Sequence, residues 1–224
     1  YEEKDETPFR FGSFTTMGEL YVETGLNELR MSNYRRILSL DSAMVVVQFD
    51  KDGVQYQRKY FISYPDSVMV MKFTANQSGK QNLILSYCPN SEAKSNLRAD
   101  GKDGLVYTGV LDNNGMKFAF RIKAIHKGGT LEAENDRLIV KGADEVVFLL
   151  TADTDYKMNF NPDFKDPKTY VGNDPEQTTR IMMDQAVQKG YDELYRNHEA
   201  DHTALFNRVR LQLNPDISSP NLPT

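Results

Sequence analysis

The strongest constraint on this chain is an alternation. From Met116 to Ala124, Met116, Phe118, Phe120, Ile122 and Ala124 take every second position, with Lys117, Arg121 and Lys123 between them. A period of two over that length predicts a β-strand with one face buried and the basic residues turned outward. Gln55 to Ile62 repeats the pattern, with Val54, Tyr56, Tyr60 and Ile62 inward and Arg58 the exception. In Ser67 to Thr74, Val68, Met69, Val70, Met71 and Phe73 occupy both faces, which predicts a strand covered on both sides in the middle of a sandwich. Asp52-Gly53, Asn113-Asn114-Gly115, Gly128-Gly129 and Gly142 punctuate these runs with residues that tolerate positive φ. Residues 19–152 therefore read as an antiparallel β-sandwich.

Composition narrows the partners. With Lys+Arg 27 against Asp+Glu 32 the net charge is −5, which argues against nucleic acid or an anionic membrane as the main partner. The longest apolar runs, Ala43 to Val47 and Val146 to Leu150, fall far below the ~20 residues that span a bilayer. A single cysteine, Cys88, excludes an intramolecular disulfide; at the end of an apolar strand it is expected in the core. Tyr1-Glu2-Glu3 opens the chain with no signal-peptide pattern, and a first residue other than Met leads to the expectation that something upstream was removed.

After Thr151 the pattern changes. Residues 153–173 form a polar connector carrying Tyr156, Phe160, Phe164 and Tyr170, long enough to be expected to lie against something. Asp174-Pro175-Glu176-Gln177 is a helix start: an acidic N-cap, Pro at the first helical position and Gln for a capping box. The helix should run to Lys189 with Ile181, Ala186 and Val187 apolar, and stop at Gly190. A second helical stretch, Tyr191 to Phe206, should bury Leu194, Tyr195, Leu205 and Phe206. Arg208 to Leu213 reads as a final strand and Asn214 to Thr224 as a tail.

His198-Glu199-Ala200-Asp201-His202 spells H-E-x-x-H on a predicted helix, where two imidazoles share a face and can hold zinc. A zinc protease needs a third ligand. After His202 there is no His or Glu, and the sole acid is Asp216. The expectation is that His198 packs beside Leu194 and Leu205 while Glu199 and His202 are solvated or locally bonded. No G-x-S-x-G is present, and Gly12-Ser13 lacks a strand-turn-helix setting. The residues single out no catalytic, cofactor-binding or metal-binding position, and no cofactor is expected.

Several segments together carry a resemblance: Thr16 to Val22, Tyr34 to Ala43, Tyr56 to Val68, then His198 and Asp201 to Val209. Their order and spacing resemble the N-terminal region of glycoside hydrolase family 95, the α-L-fucosidase and α-L-galactosidase family. The resemblance implies a mainly β fold, a large antiparallel β-sandwich of the supersandwich type with a short C-terminal helical linker segment. It implies an N-terminal sandwich domain over 1–172, cut at its start, and a helical linker over 173–224, with Leu222-Pro223-Thr224 leading toward an (α/α)6 barrel. The family's inverting machinery lies in that barrel, so this chain by itself is expected to be inactive. The implied partners are the parent enzyme's own barrel and its glycan substrate, and the implied location is periplasmic or extracellular. Asp201 and Arg208 are expected to make a packing or ion-pair contact in the linker. The longer Thr24 to Asn33 stretch, and His202 where the family has an aromatic, leave the sugar open. A free-standing carbohydrate-binding or adhesin-like sandwich remains the alternative.

Overall fold

The computed structural model describes residues 16–27, 29–89, 93–112, 114–134 and 136–211. Among the described residues twelve strands precede one long helical element: β1 (Gly18–Glu23), β2 (Met31–Ser39), β3 (Met44–Lys51), β4 (Val54–Ser63), β5 (Val68–Ala75), β6 (Gln81–Pro89), β7 (Ala93–Ala99), β8 (Gly104–Leu111), β9 (Lys117–Lys127), β10 (Thr130–Glu134), β11 (Arg137–Ala143), β12 (Glu145–Thr154) and α1 (Pro175–Phe206). They form an eight-stranded sheet, ordered β2-β3-β4-β5-β12-β9-β8-β7, and a four-stranded sheet, β1-β6-β11-β10. Every pairing is antiparallel. The fold is mainly β, two antiparallel sheets packed as a sandwich with a C-terminal helix, as the alternation and the resemblance lead one to expect.

The main core fills the space between the sheets. Phe73, Tyr107, Phe120, Ile122 and Phe148 of the larger sheet meet Leu83, Leu85, Leu138 and Val140 of the smaller one. A second core lies on the opposite face of the larger sheet, where Phe61, Val68, Val70, Val147 and Leu149 are covered by Met183, Ala186 and Leu194 of α1. Each Val, Leu, Phe or Met side chain among these contributes roughly 1.5–3 kcal/mol when fully buried. A third cluster, Val47, Phe49, Val54 and Tyr56, closes the end of the larger sheet nearest β2.

The helical cover explains where the pattern misleads. Arg121, expected to face solvent, is 2% exposed, and its guanidinium pairs with Asp100. Its face of β9 is solvent-facing only if nothing packs there, and α1 does. On β4 the buried side changes along the strand: Val54 and Tyr56 point into the sandwich, but toward the end Phe61 is buried under α1 and Ile62 is exposed. β5 is covered on both sides as expected, its second cover being the helix.

Punctuation is mostly as expected. Asp52 (φ 49) with Gly53 (φ 77), and Gly128 (φ 67) with Gly129 (φ 65), are left-handed pairs at hairpin turns. A Cβ on Gly129 would lie 2.2 Å from the Lys141 carbonyl oxygen, so this turn admits no side chain. Gly142 is different: it lies within β11, where the pairing with β6 shifts between Val140 and Ala143, a bulge and not a turn. Cys88 is exposed at the end of β6 opposite Glu19, and not in the core. In α1, Leu205 and Phe206 are exposed, contrary to expectation, and so is Ile181, while Thr179, Met183 and His198 are buried. Residues 208–211 form no strand, and Val209 and Leu211 are exposed. Residues 212–213 and the tail lie outside the described residues, as does Gly12-Ser13.

Asp174 caps α1, accepting from the Glu176 N–H at 3.1 Å with Pro175 following. The helix breaks where Gly190 was expected to end it, at φ 72 and ψ 171. That region of backbone space is essentially glycine-only, at about 1–3 kcal/mol for other residues. A Cβ there meets nothing within 4 Å, so the cost is purely conformational. Gly190→Ala is therefore expected to lower unfolding free energy by about 1–3 kcal/mol with an unchanged denaturant slope, measured by urea titration.

Candidate functional site

The break at Gly190 lets both halves of α1 lie on the same sheet. One carboxylate sits at the junction. Asp66, in the turn between β4 and β5, is 2% exposed at its side chain. It accepts from Lys189 Nζ at 2.6 Å, from Asn197 Nδ2 at 3.2 Å and from Ser63 Oγ at 2.6 Å. Lys189 ends the first half of α1 and Asn197 belongs to the second, so Asp66 ties both halves to one turn. Burial alone would raise its pKa, but the hydrogen bonds from Lys189, Ser63 and Asn197 win and hold it below the ordinary carboxylate value.

Beyond the break, Leu194 is fully buried and Phe61 becomes the centre of a ring cluster. Tyr191 and Tyr195 meet Phe61 edge-on, each with centroids 5.8 Å away, and His198 stacks on it at 5.0 Å. Burial, with help from Tyr195, Asp192 and Glu145, pushes the Tyr191 hydroxyl up to about 12. Lys72 lies 4.2 Å above the Tyr191 ring and pairs with Glu145 at 2.7 Å, while Lys127 holds the same carboxylate at 2.9 Å.

The H-E-x-x-H residues are engaged elsewhere. His198 Nε2 faces the carbonyl oxygens of Ser42 at 3.2 Å and Ala43 at 3.0 Å, and His202 Nε2 faces that of Leu40 at 2.6 Å. A carbonyl oxygen only accepts, so each Nε2 carries its proton and has no lone pair for a metal. Glu199 accepts the Tyr195 hydroxyl at 2.9 Å. Among the described residues no group of three or more His, Cys, Asp or Glu converges as a metal site requires. The paired imidazoles fasten the helix to the turn between β2 and β3. His198 thus packs on Phe61 and Leu205 is exposed; Glu199 makes a local bond as expected, whereas His202 reaches a turn far away in sequence. No ion pair joins Asp201 to Arg208 among the described residues; Asp201 instead lines the groove beside the helix end. Asp216 lies outside the described residues.

That groove, of about 540 Å³, runs between α1 and the edge of the larger sheet, lined by Ile62, Tyr64, Asp201, His202, Leu205 and Phe206. Tyr64 is 84% exposed, and the rings of His202 and Phe206 stack at 5.0 Å. Leu40 and Leu38 add exposed apolar surface at the adjacent edge. An apolar groove of this kind suits docking better than acid-base chemistry, since Asp201 is the one carboxylate lining it among the described residues. Asp66 and Phe61 were not legible as junction residues. Their sequence signal, Phe61-Ile62-Ser63-Tyr64-Pro65-Asp66, marks a strand end and a turn but not what the turn holds.

Residues 2–159 match the family model described as "Glycosyl hydrolase family 65, N-terminal domain". Over 230 residues the chain is 27% identical to a protein of Aspergillus niger named "Probable alpha-fucosidase A", covering 98% of this chain and 28% of that one. Over 226 residues it is 26% identical to "Alpha-L-fucosidase 2" of Arabidopsis thaliana, covering 89% and 26%. The chain thus spans about a quarter of the length of the curated relatives it matches. Among solved structures, "Putative kojibiose phosphorylase from human microbiome" superposes with a TM-score of 0.57 at 10% identity, over 84% of this chain and 27% of that one. At that identity the likeness is one of fold.

Two outcomes test the site. Asp66→Asn should cost about 2–3 kcal/mol at neutral pH, because it leaves Lys189 without its carboxylate. Since the folded pKa lies below the unfolded one, that stability is present above the ordinary value near about 3.9 and is lost as pH falls through the lower folded value. Urea midpoints of the two proteins should accordingly converge below about pH 4. Replacing His198 and His202 together by Gln should lower thermal stability without releasing metal; stoichiometric zinc lost with the imidazoles would contradict the assignment.

Proposed function

The chain belongs to the family of glycosyl hydrolase family 65 N-terminal domains, and from that premise we propose that it is the non-catalytic β-sandwich of a glycoside hydrolase resembling the α-L-fucosidases. In this reading it supports an (α/α)6 barrel that hydrolyses α-L-fucosidic or α-L-galactosidic bonds with inversion. The observation that carries it is the alignment of 98% of this chain with a protein named a probable α-fucosidase, of which it forms 28%. The segments that resemble family 95 give the same direction. An inverting hydrolase needs two carboxyl groups about 6.5–9.5 Å apart across the scissile bond, one as acid and one activating water. Those groups are assigned to the barrel, and the sandwich contributes rigidity.

The seam supports a mechanical role. α1 is fixed at both ends: Arg98 to Glu176 at 2.5 Å near its start, and Asp66, His198 and His202 along its second half. A helix so fixed can transmit a defined position to what it contacts, and the apolar groove at its end is a surface to be covered. The parent enzyme works on glycans in the periplasm or outside the cell, again on the reading from family resemblance. Its partners in this reading are its own barrel and its substrate.

Hydrolysis of an aryl α-L-fucoside tests the division of roles. The 224-residue chain should show no turnover above background, whereas the full-length parent should release the aryl alcohol; turnover by this chain alone would overturn the proposal.

A further inference from the structure

The connector between β12 and α1 is a self-supporting loop. The Gly172 N–H donates to the Asp155 carbonyl at 2.6 Å and the Lys157 N–H to that of Tyr170 at 2.7 Å, closing its neck. Inside, Asn159 Nδ2 donates to the Thr169 carbonyl at 3.1 Å, and the Asp163 N–H donates to Thr169 Oγ1 at 3.0 Å. The Asp155 carboxylate accepts the Lys117 N–H at 2.9 Å and anchors the neck to β9. A loop whose backbone is satisfied in this way, with Tyr156 stacked on Tyr170 at 6.0 Å across the neck, holds its shape without burying Phe160 or Phe164. Yet its apolar side chains face out: Phe160 is 94% and Phe164 85% exposed, and Met158 is exposed as well. The connector was expected to lie against something; within the described residues Phe160 and Phe164 do not.

We propose that Phe160 and Phe164 are anchor residues that insert into an apolar pocket on the remainder of the same polypeptide. This rests on the reading that the chain is part of a longer hydrolase. The degree of exposure selects a protein pocket over a sugar. A ring 94% exposed has neither face supported by its own protein and projects as a knob, which a pocket encloses on all sides and the flat face of a sugar covers on one. Charge selects against a strongly charged partner, because Asp155, Asp163 and Asp166 are balanced by Lys157, Lys165 and Lys168. Length supplies the occupant: 98% of this chain aligns with a relative of which it forms 28%, so this loop belongs to a unit accompanied by a much larger body of chain. A pocket in that body meets the loop at the high effective concentration of a covalent tether. A preformed loop bearing rigid aromatics also loses little entropy on docking.

Hydroxyl-radical footprinting of the full-length parent against the 224-residue chain tests this. Labelling of Phe160 and Phe164 should be about five- to tenfold lower in the parent, the fall expected when an exposed ring enters a pocket. Phe160→Ser with Phe164→Ser should lower the melting temperature of the parent and leave that of the 224-residue chain unchanged. Equal labelling in both proteins would overturn the proposal. So would protection that appears only on adding a fucosylated oligosaccharide, which would make the rings a sugar platform. Protection that grows with concentration of the 224-residue chain would assign them to a second copy, and would overturn it too. Assaying the same parent sample on the aryl fucoside separates the two claims: turnover with fully labelled rings defeats the anchor assignment alone.

Discussion

The architecture depends on two central strands that are buried on both faces. β5 sends Met71 and Phe73 into the core between the sheets and Val68 and Val70 under the helix; β12 sends Val146 and Phe148 one way and Val147 and Leu149 the other. A one-residue slip exchanges the two faces of a strand, and when both faces are apolar, hydrophobicity alone does not forbid the exchange. Polar contacts at the strand ends index the register instead. Glu145 at the start of β12 is held by Lys72 and Lys127, and Thr151 near its other end donates to the Thr179 carbonyl of the helix at 3.0 Å. The helix is therefore part of what makes the sheet unique, and is not an appendage to it.

The same two-sided burial explains what the sequence did and did not reveal. Alternation located the strands, because Phe118, Phe120 and Ile122 must share a face whatever packs there. It could not say what covers the other face, so Arg121 read as solvent-facing and is buried beside Asp100. Gly190 was legible since helix ends and glycine's backbone freedom are local properties. The buried side of α1 was not: a helix that packs Thr179, Met183, Leu194 and His198 onto a sheet while exposing Ile181 and Leu205 shows no clean apolar stripe. The H-E-x-x-H pattern lacks a third ligand in the sequence, but the contacts its histidines make were not legible there, because the turn between β2 and β3 lies far away in sequence. Asp66 was invisible as a junction for the same reason, its partners on the helix lying beyond residue 188 and the turn carrying no distinguishing motif.

Taken together, the polar contacts along the helix fasten it to the sandwich. Asp66 joins the two halves of the helix, two histidines pin it to a turn, and Arg98 secures its start. The apolar surface left over gathers at the groove by the helix end and on the connecting loop. These exposed patches lie beside the contacts that fasten the helix, and they are what the proposed supporting role draws on. The central claim, that this sandwich acts through a neighbouring domain and does not itself engage sugar, is most directly tested by calorimetric titration of the 224-residue chain with an α-L-fucosylated oligosaccharide. The account predicts no saturable heat; stoichiometric binding with a Kd below about 1 mM would contradict it.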